Sequence, residues 1–185
     1  MNAVPDASRR DPAAPAAADQ AAGVLAAKVL AAAGRSGKTV ATAESLTAGM
    51  LCAELGSVPG ASAVLQGGVV AYQNGIKHSV LGVPAGLLAE AGSVDGRVAE
   101  HMAAGARRVL GADVGVSTTG AAGPQAHDGK PVGTVFVGIA TAEGTFYREY
   151  LFSGDRTAIR RAACTEALRL VAAALEPGEP GSQVK

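Results

Sequence analysis

A chain of 185 residues with one continuous patterned region is long enough to bury a real core, and a single domain is the default for it. Formal net charge is zero and only six residues, three Phe and three Tyr, are aromatic. Neutrality argues against binding phosphate backbones or anionic membranes, and sparse aromatics argue against a base-stacking surface for single-stranded nucleic acid.

In chain order, residues 1–17 are rich in Ala, Pro and Asp and read as a disordered tail, 18–176 as one domain, and 177–185 as a flexible polar tail. Residues 18–33 read as a helix with Val24, Leu25, Val29 and Leu30 near one face. A strand at 38–43 and a helix at 47–56 follow, closed by Gly56-Ser57-Val58-Pro59-Gly60. Next come a strand at 64–73, a helical turn at 74–81 and another from Pro84 to near Gly92. Residues 95–110 form a helix striped by Val98, Met102 and Val109, and 113–117 a short strand. A Gly/Pro-rich loop, 119–131, leads to an apolar strand at 132–141 and, across Glu143-Gly144, to its hairpin partner at 146–152. Asp155 caps the last helix, whose buried stripe is Ile159, Ala163, Ala167, Leu170 and Val171. This alternation implies an α/β domain with a mixed, mostly parallel sheet covered on both faces and containing one hairpin. Ligands of such sheets sit beyond the strand C-termini, here the loops after 38–43, 64–73 and 113–117.

Cys52 and Cys164 lie far apart in Ala/Leu-rich helical pattern and are expected to be buried free thiols in a reducing compartment. His78, His101 and His127 are scattered, so no metal-ligand spacing is present. Arg9-Arg10 is followed by Asp-Pro-Ala-Ala-Pro rather than an apolar run, and Lys28 and Arg35 interrupt the best apolar stretch. The expected location is cytoplasmic.

Three loops carry unusual residues. In Thr42-Ala43-Glu44-Ser45-Leu46-Thr47-Ala48-Gly49, Ser45 falls on a strand-to-helix turn. The first N–H groups of the following helix are then the candidate oxyanion hole for a Ser45 nucleophile. Ser is also a preferred helix cap, so a plain cap is the competing reading. The second loop, Tyr72-Gln73-Asn74-Gly75-Ile76-Lys77, offers Lys77 as a base if desolvation lowers its pKa, with Tyr72 relaying or orienting a proton. The bland alternatives are a solvated lysine and a core-edge tyrosine. The third, Thr118-Thr119-Gly120-Ala121-Ala122-Gly123-Pro124, brings backbone close to a ligand, or is a simple connection.

Taken together, Ala43-Glu44-Ser45-x-Thr47-x-Gly49, Tyr72-x-Asn74-x-x-Lys77, Thr119-Gly120-x-Ala122-Gly123-Pro124, Lys130-Pro131-Val132-Gly133-Thr134-Val135 and Phe152-x-Gly154-Asp155-Arg156 resemble the C-terminal domain of the competence/damage-inducible CinA proteins. That family includes stand-alone nicotinamide mononucleotide (NMN) deamidases. The resemblance covers about residues 20–176, and the chain resembles the stand-alone form. It implies a three-layer α/β/α sandwich and hydrolysis of NMN to nicotinate mononucleotide and ammonia, in pyridine-nucleotide salvage. No cofactor and no metal are implied. It implies Ser45 as nucleophile and Lys77 as base, assisted by Tyr72. Glu44, Leu46, Thr47, Asn74, Thr119, Gly120 and Gly123 are candidates for substrate contact. Arg156 would meet the phosphate or pair with an acidic neighbour. The expected partner is the small-molecule substrate, with neither nucleic acid nor membrane, in a homo-oligomer.

Family members usually carry Cys and Gly where this chain has Leu46 and Ala48. Gln73, Gly75-Ile76 and Asp95-Gly96 also depart from the common pattern. Leu46 adds bulk beside Ser45. It keeps open an amidase for another small carboxamide, beside the alternative of a non-catalytic nucleotide-binding or partner-recruiting module.

Overall fold

In the computed structural model, residues 9–10 and 15–176 are described; most of both expected tails lies outside the described residues. Strand β2 (Val40–Glu44) is buried along its length and alternates between two cores. Val40 packs with helices α1 (Pro15–Ser36), α2 (Met50–Gly56) and α6 (Arg156–Leu175), whereas Ala41 and Ala43 pack with α5 (Gly96–Leu110) on the opposite face. This period-two alternation in a strand buried on both sides makes the middle layer of an α/β/α sandwich.

The sheet order is β1-β6-β5-β4-β2-β3, with β1 Arg9–Arg10, β3 Leu65–Val70, β4 Val114–Gly120, β5 Thr134–Ala140 and β6 Thr145–Phe152. β2 pairs in parallel with β3 and β4, and β1 with β6. β4–β5 and the expected β5–β6 hairpin are antiparallel. The chain leaves β2 for β3 on one side and returns to β4 on the other, so a crevice opens at the C-terminal ends of β2 and β4. The two antiparallel steps bring the start of β5 and the end of β6 to that same edge.

Two stripes differ from expectation. The buried face of α1 is Ala22, Ala26, Val29, Leu30 and Ala33, while Val24 is 55 % exposed. Alanines carry the stripe there, and the larger Val24 lies round the helix from them. Val98 and Met102 are buried on α5, but Val109 in its last turn is 46 % exposed. The α6 stripe and its Asp155 cap are as expected, Asp155 accepting from the Ala158 N–H at 2.8 Å. Cys164 is buried, Cys52 is only half-buried, and both are free thiols. Among the described residues no helix is long and apolar enough to cross a membrane.

Candidate functional site

The C-terminal crevice holds a cavity of about 440 Å³. Ser45 and Leu46 after β2, Tyr72, Gln73 and Asn74 after β3, and Gly120 to Gly123 at the end of β4 form its floor. Ser93, the loop residues Gln125 to Asp128, and Arg156 at the start of α6 complete the wall. Such a volume falls within the usual range for small-molecule sites, roughly 300–1,000 Å³.

Ser45 extends the β2–β4 ladder by one step, its N–H donating to Thr118 O at 2.9 Å. The chain then turns through Ala48 (φ 50°) and Gly49 (φ 94°) before α2 begins at Met50, three residues later than expected. The expected oxyanion donors at the head of that helix are occupied. Glu44 is buried, and its carboxylate accepts from Gly49 N (2.8 Å), Leu51 N (3.0 Å) and Cys52 N (2.8 Å). Glu44 therefore caps α2 and does not line the cavity. Arg160 fixes the turn from the other side, donating to Leu46 O at 2.8 Å and Thr47 O at 2.9 Å. Among the described residues the Leu46 and Thr47 N–H groups have no hydrogen-bond acceptor. Leu46 N–H is the amide just after Ser45, the position that supplies an oxyanion donor at a serine elbow.

Lys77 lies on the short helix α3 (Asn74–Ser79), which has its polarity inverted: Ile76 is exposed and Lys77 only 1 % exposed. A buried lysine without a carboxylate partner is rare because desolvation penalises its charge. Its Nζ has a single hydrogen-bond partner among the described residues, the Tyr72 carbonyl, at 3.1 Å. Burial lowers its pKa from 10.5 to about 8, against the opposing charge of Asp128. The Tyr72 hydroxyl instead accepts from Arg156 Nη2 at 2.8 Å, and Arg156 Nη1 donates to Gly123 O at 2.8 Å. Both partners of Arg156 are neutral, so among the described residues its charge stands without an ion-pair partner at the cavity wall.

Of the candidate contact residues, Leu46, Asn74, Gly120, Gly123 and Arg156 line the cavity; Glu44, Thr47 and Thr119 do not. The Thr47 hydroxyl is bonded to that of Thr118 at 2.7 Å, and Thr119 donates to Ser93 O at 2.6 Å. The Leu46 side chain is 4 % exposed and belongs to the core beneath the turn, so most of its bulk is absorbed there. Sequence reasoning missed Ser93, Arg160 and Asp128. Asp128-Gly129 within the Gly/Pro-rich loop was the available signal for the last, since Asp tolerates the left-handed conformation it adopts (φ 49°).

An open mixed α/β sheet with a polar cavity at its switch point, a serine on the first turn lining it and a buried amine bonded to the Tyr72 carbonyl define a small-ligand domain. Residues 22–175 match the CinA C-terminal domain, and the chain belongs to that family. It is 49 % identical over 146 residues to a CinA-like protein of Frankia casuarinae, covering 79 % of this chain and 34 % of that one. It is 51 % identical over 140 residues to one of Anaeromyxobacter sp., covering 75 % and 34 %. The chain thus spans about a third of the length of these curated relatives. The crystal structure of competence damage-inducible protein A from Klebsiella pneumoniae superposes with a TM-score of 0.82 at 31 % identity, covering 85 % of this chain and 99 % of that one.

Proposed function

We propose that the domain is an amidohydrolase that converts NMN to nicotinate mononucleotide and ammonia. The carrying observation is Lys77: an amine held at 1 % exposure on an otherwise exposed helix, outside the cavity lining but bonded to the carbonyl of Tyr72, which lines the same cavity as Ser45. A pKa near 8 leaves part of the lysine neutral at physiological pH, as a general base requires.

In the proposed cycle, neutral Lys77 takes the Ser45 proton as Oγ attacks the carboxamide carbon. The Leu46 N–H receives the developing oxyanion, and Arg160, bonded to the Leu46 and Thr47 carbonyls, fixes the turn that presents it. Lysine then protonates the departing amine, ammonia leaves, and water attacks the acyl-enzyme with Lys77 again as base. The charge of Arg156 suits the substrate phosphate. Absorption of the Leu46 bulk into the core favours NMN over a smaller carboxamide.

The test is ammonia release from NMN by the purified protein, with Ser45→Ala in parallel. Release should fall by roughly 10³-fold or more in the variant. Undiminished release from folded Ser45→Ala protein sinks the assigned role. NMN that binds without being consumed by the unmodified protein favours a non-catalytic binding module.

A further inference from the structure

Two full charges of opposite sign line the cavity, Arg156 and Asp128, with His127 as a second group able to carry positive charge. Asp128 is held in a particular way. The Ser93 N–H, the Ser93 hydroxyl (2.9 Å) and the Val94 N–H (3.1 Å) all donate to Oδ2, and His127 Nε2 lies 3.7 Å from the same oxygen. Oδ1 accepts no hydrogen bond from the described residues, although the side chain is only 25 % exposed. The anchor is stiff. Ser93 O is bonded to Thr119 at the end of β4, and a Cβ on Gly92 (φ +75°) would stand 2.3 Å from Asp128 Cγ. Burial alone would raise this carboxyl, but the bonds from Ser93 and Val94 and the charge of His127 outweigh it and keep the group below the usual carboxylate range.

We infer that Asp128 is a specificity-determining residue whose unbonded Oδ1 serves as counter-ion to a positively charged heteroaromatic ring, an assignment that rests on the proposed pyridine-nucleotide substrate. NMN is a zwitterion with a cationic ring and an anionic phosphate. A cavity with one fixed carboxylate and one guanidinium complements both ends. A loop anchor alone needs only an acceptor, which Asn supplies. Among the described residues Oδ1 has no donor, Asp128 lines the cavity, and beyond the charge of Lys77 a ligand cation is the partner this ionised oxygen fits.

The experiment measures binding by titration calorimetry in the Ser45→Ala background, which blocks turnover. The ligands are NMN and its reduced form, which has the same ribose phosphate but a neutral ring. Asp128→Asn keeps a carbonyl oxygen for the Ser93 and Val94 donors while removing the charge. It should weaken NMN by roughly tenfold and leave the reduced form within about twofold. Ser93→Ala, which loosens the anchor but keeps the charge, should leave the ratio of the two affinities unchanged. Equal weakening of both ligands by Asp128→Asn overturns the assignment and leaves Asp128 as a loop anchor or a remote partner of Lys77. Failure of NMN to bind the Asp128-intact protein overturns the nucleotide reading itself, and the ring-charge assignment with it.

Discussion

A lysine at 1 % exposure stabilises nothing while it carries its proton, and Lys77 makes this measurable. Its pKa is about 8 in the folded chain, against the ordinary 10.5. Between these values the unfolded chain binds a proton that the folded chain does not, so this group makes stability rise with pH there. Below pH 8 the full penalty applies; above 10.5 it is gone. Lys77→Met should therefore raise the melting temperature at pH 7 by several degrees, about 2–4 °C per kcal/mol for a chain of this size. The gain should shrink as pH approaches 10.5. The same substitution should abolish ammonia release, a stability–activity trade-off. In the unsubstituted protein, kcat/KM should climb through about pH 8 and level off above it. A profile that rises only in strongly alkaline buffer, or a variant that melts lower at pH 7, would show that Lys77 is not a desolvated base.

At the scale of elements, the β2–α2 connection decides whether Ser45 is presented at all. α2 is only seven residues long, too short to persist by propensity, and its head is organised by the Glu44 carboxylate through three backbone N–H groups. Glu44→Ala leaves those buried donors without an acceptor, a loss of roughly 2–4 kcal/mol. We expect a lower melting temperature and a drop in kcat, since the released turn is the one that carries Ser45. Thermal denaturation that matched the unsubstituted protein would refute the capping role. Glu44 also shows what the sequence could and could not reveal. The elements were legible because hydrophobic period and turn residues mark them locally, down to the Asp155 cap. Ser45 and Arg156 could be singled out as cavity residues, and Lys77 as a candidate desolvated amine, because each stands in a loop or turn beyond a strand end or at a helix start. The partner of Glu44 was not legible, because nothing local distinguishes a carboxylate aimed at a substrate from one folded back onto its own helix. Asp128 and Arg160 were hidden for the complementary reason. Their partners lie 35 and 114 residues away, Ser93 for the one and Leu46 for the other. Only the assembled sheet brings them together.

For the molecule as a whole, the richness in Ala and Gly has a structural meaning that bears on the site. α5 lies so close to the sheet that a Cβ on Gly115 would stand 2.1 Å from Ala103 O, and one on Gly138 would stand 2.4 Å from Ala99 O. The Ser117 hydroxyl, beside Gly138 in the β4–β5 register, donates to that same Ala99 carbonyl at 2.6 Å. The helix cannot rise without breaking this bond. Its N-terminus continues directly from Ser93 and Val94, the residues that hold Asp128 at the cavity. Gly138→Ala collides with backbone rather than with a flexible side chain, so α5 must move. Overpacking of this kind costs about 1–3 kcal/mol, and here it should also displace the Ser93–Asp128 anchor. The expected result is a lower melting temperature together with weaker NMN binding. Gly23→Ala in α1, where a Cβ meets nothing within 4 Å, provides the control. It should stabilise the chain by about 0.5–1 kcal/mol through helix propensity and leave binding unchanged. Loss of stability at Gly138 with NMN affinity intact would show that α5 and the cavity wall are mechanically independent. Loss of both would make the close helix–sheet contact a determinant of the site's shape.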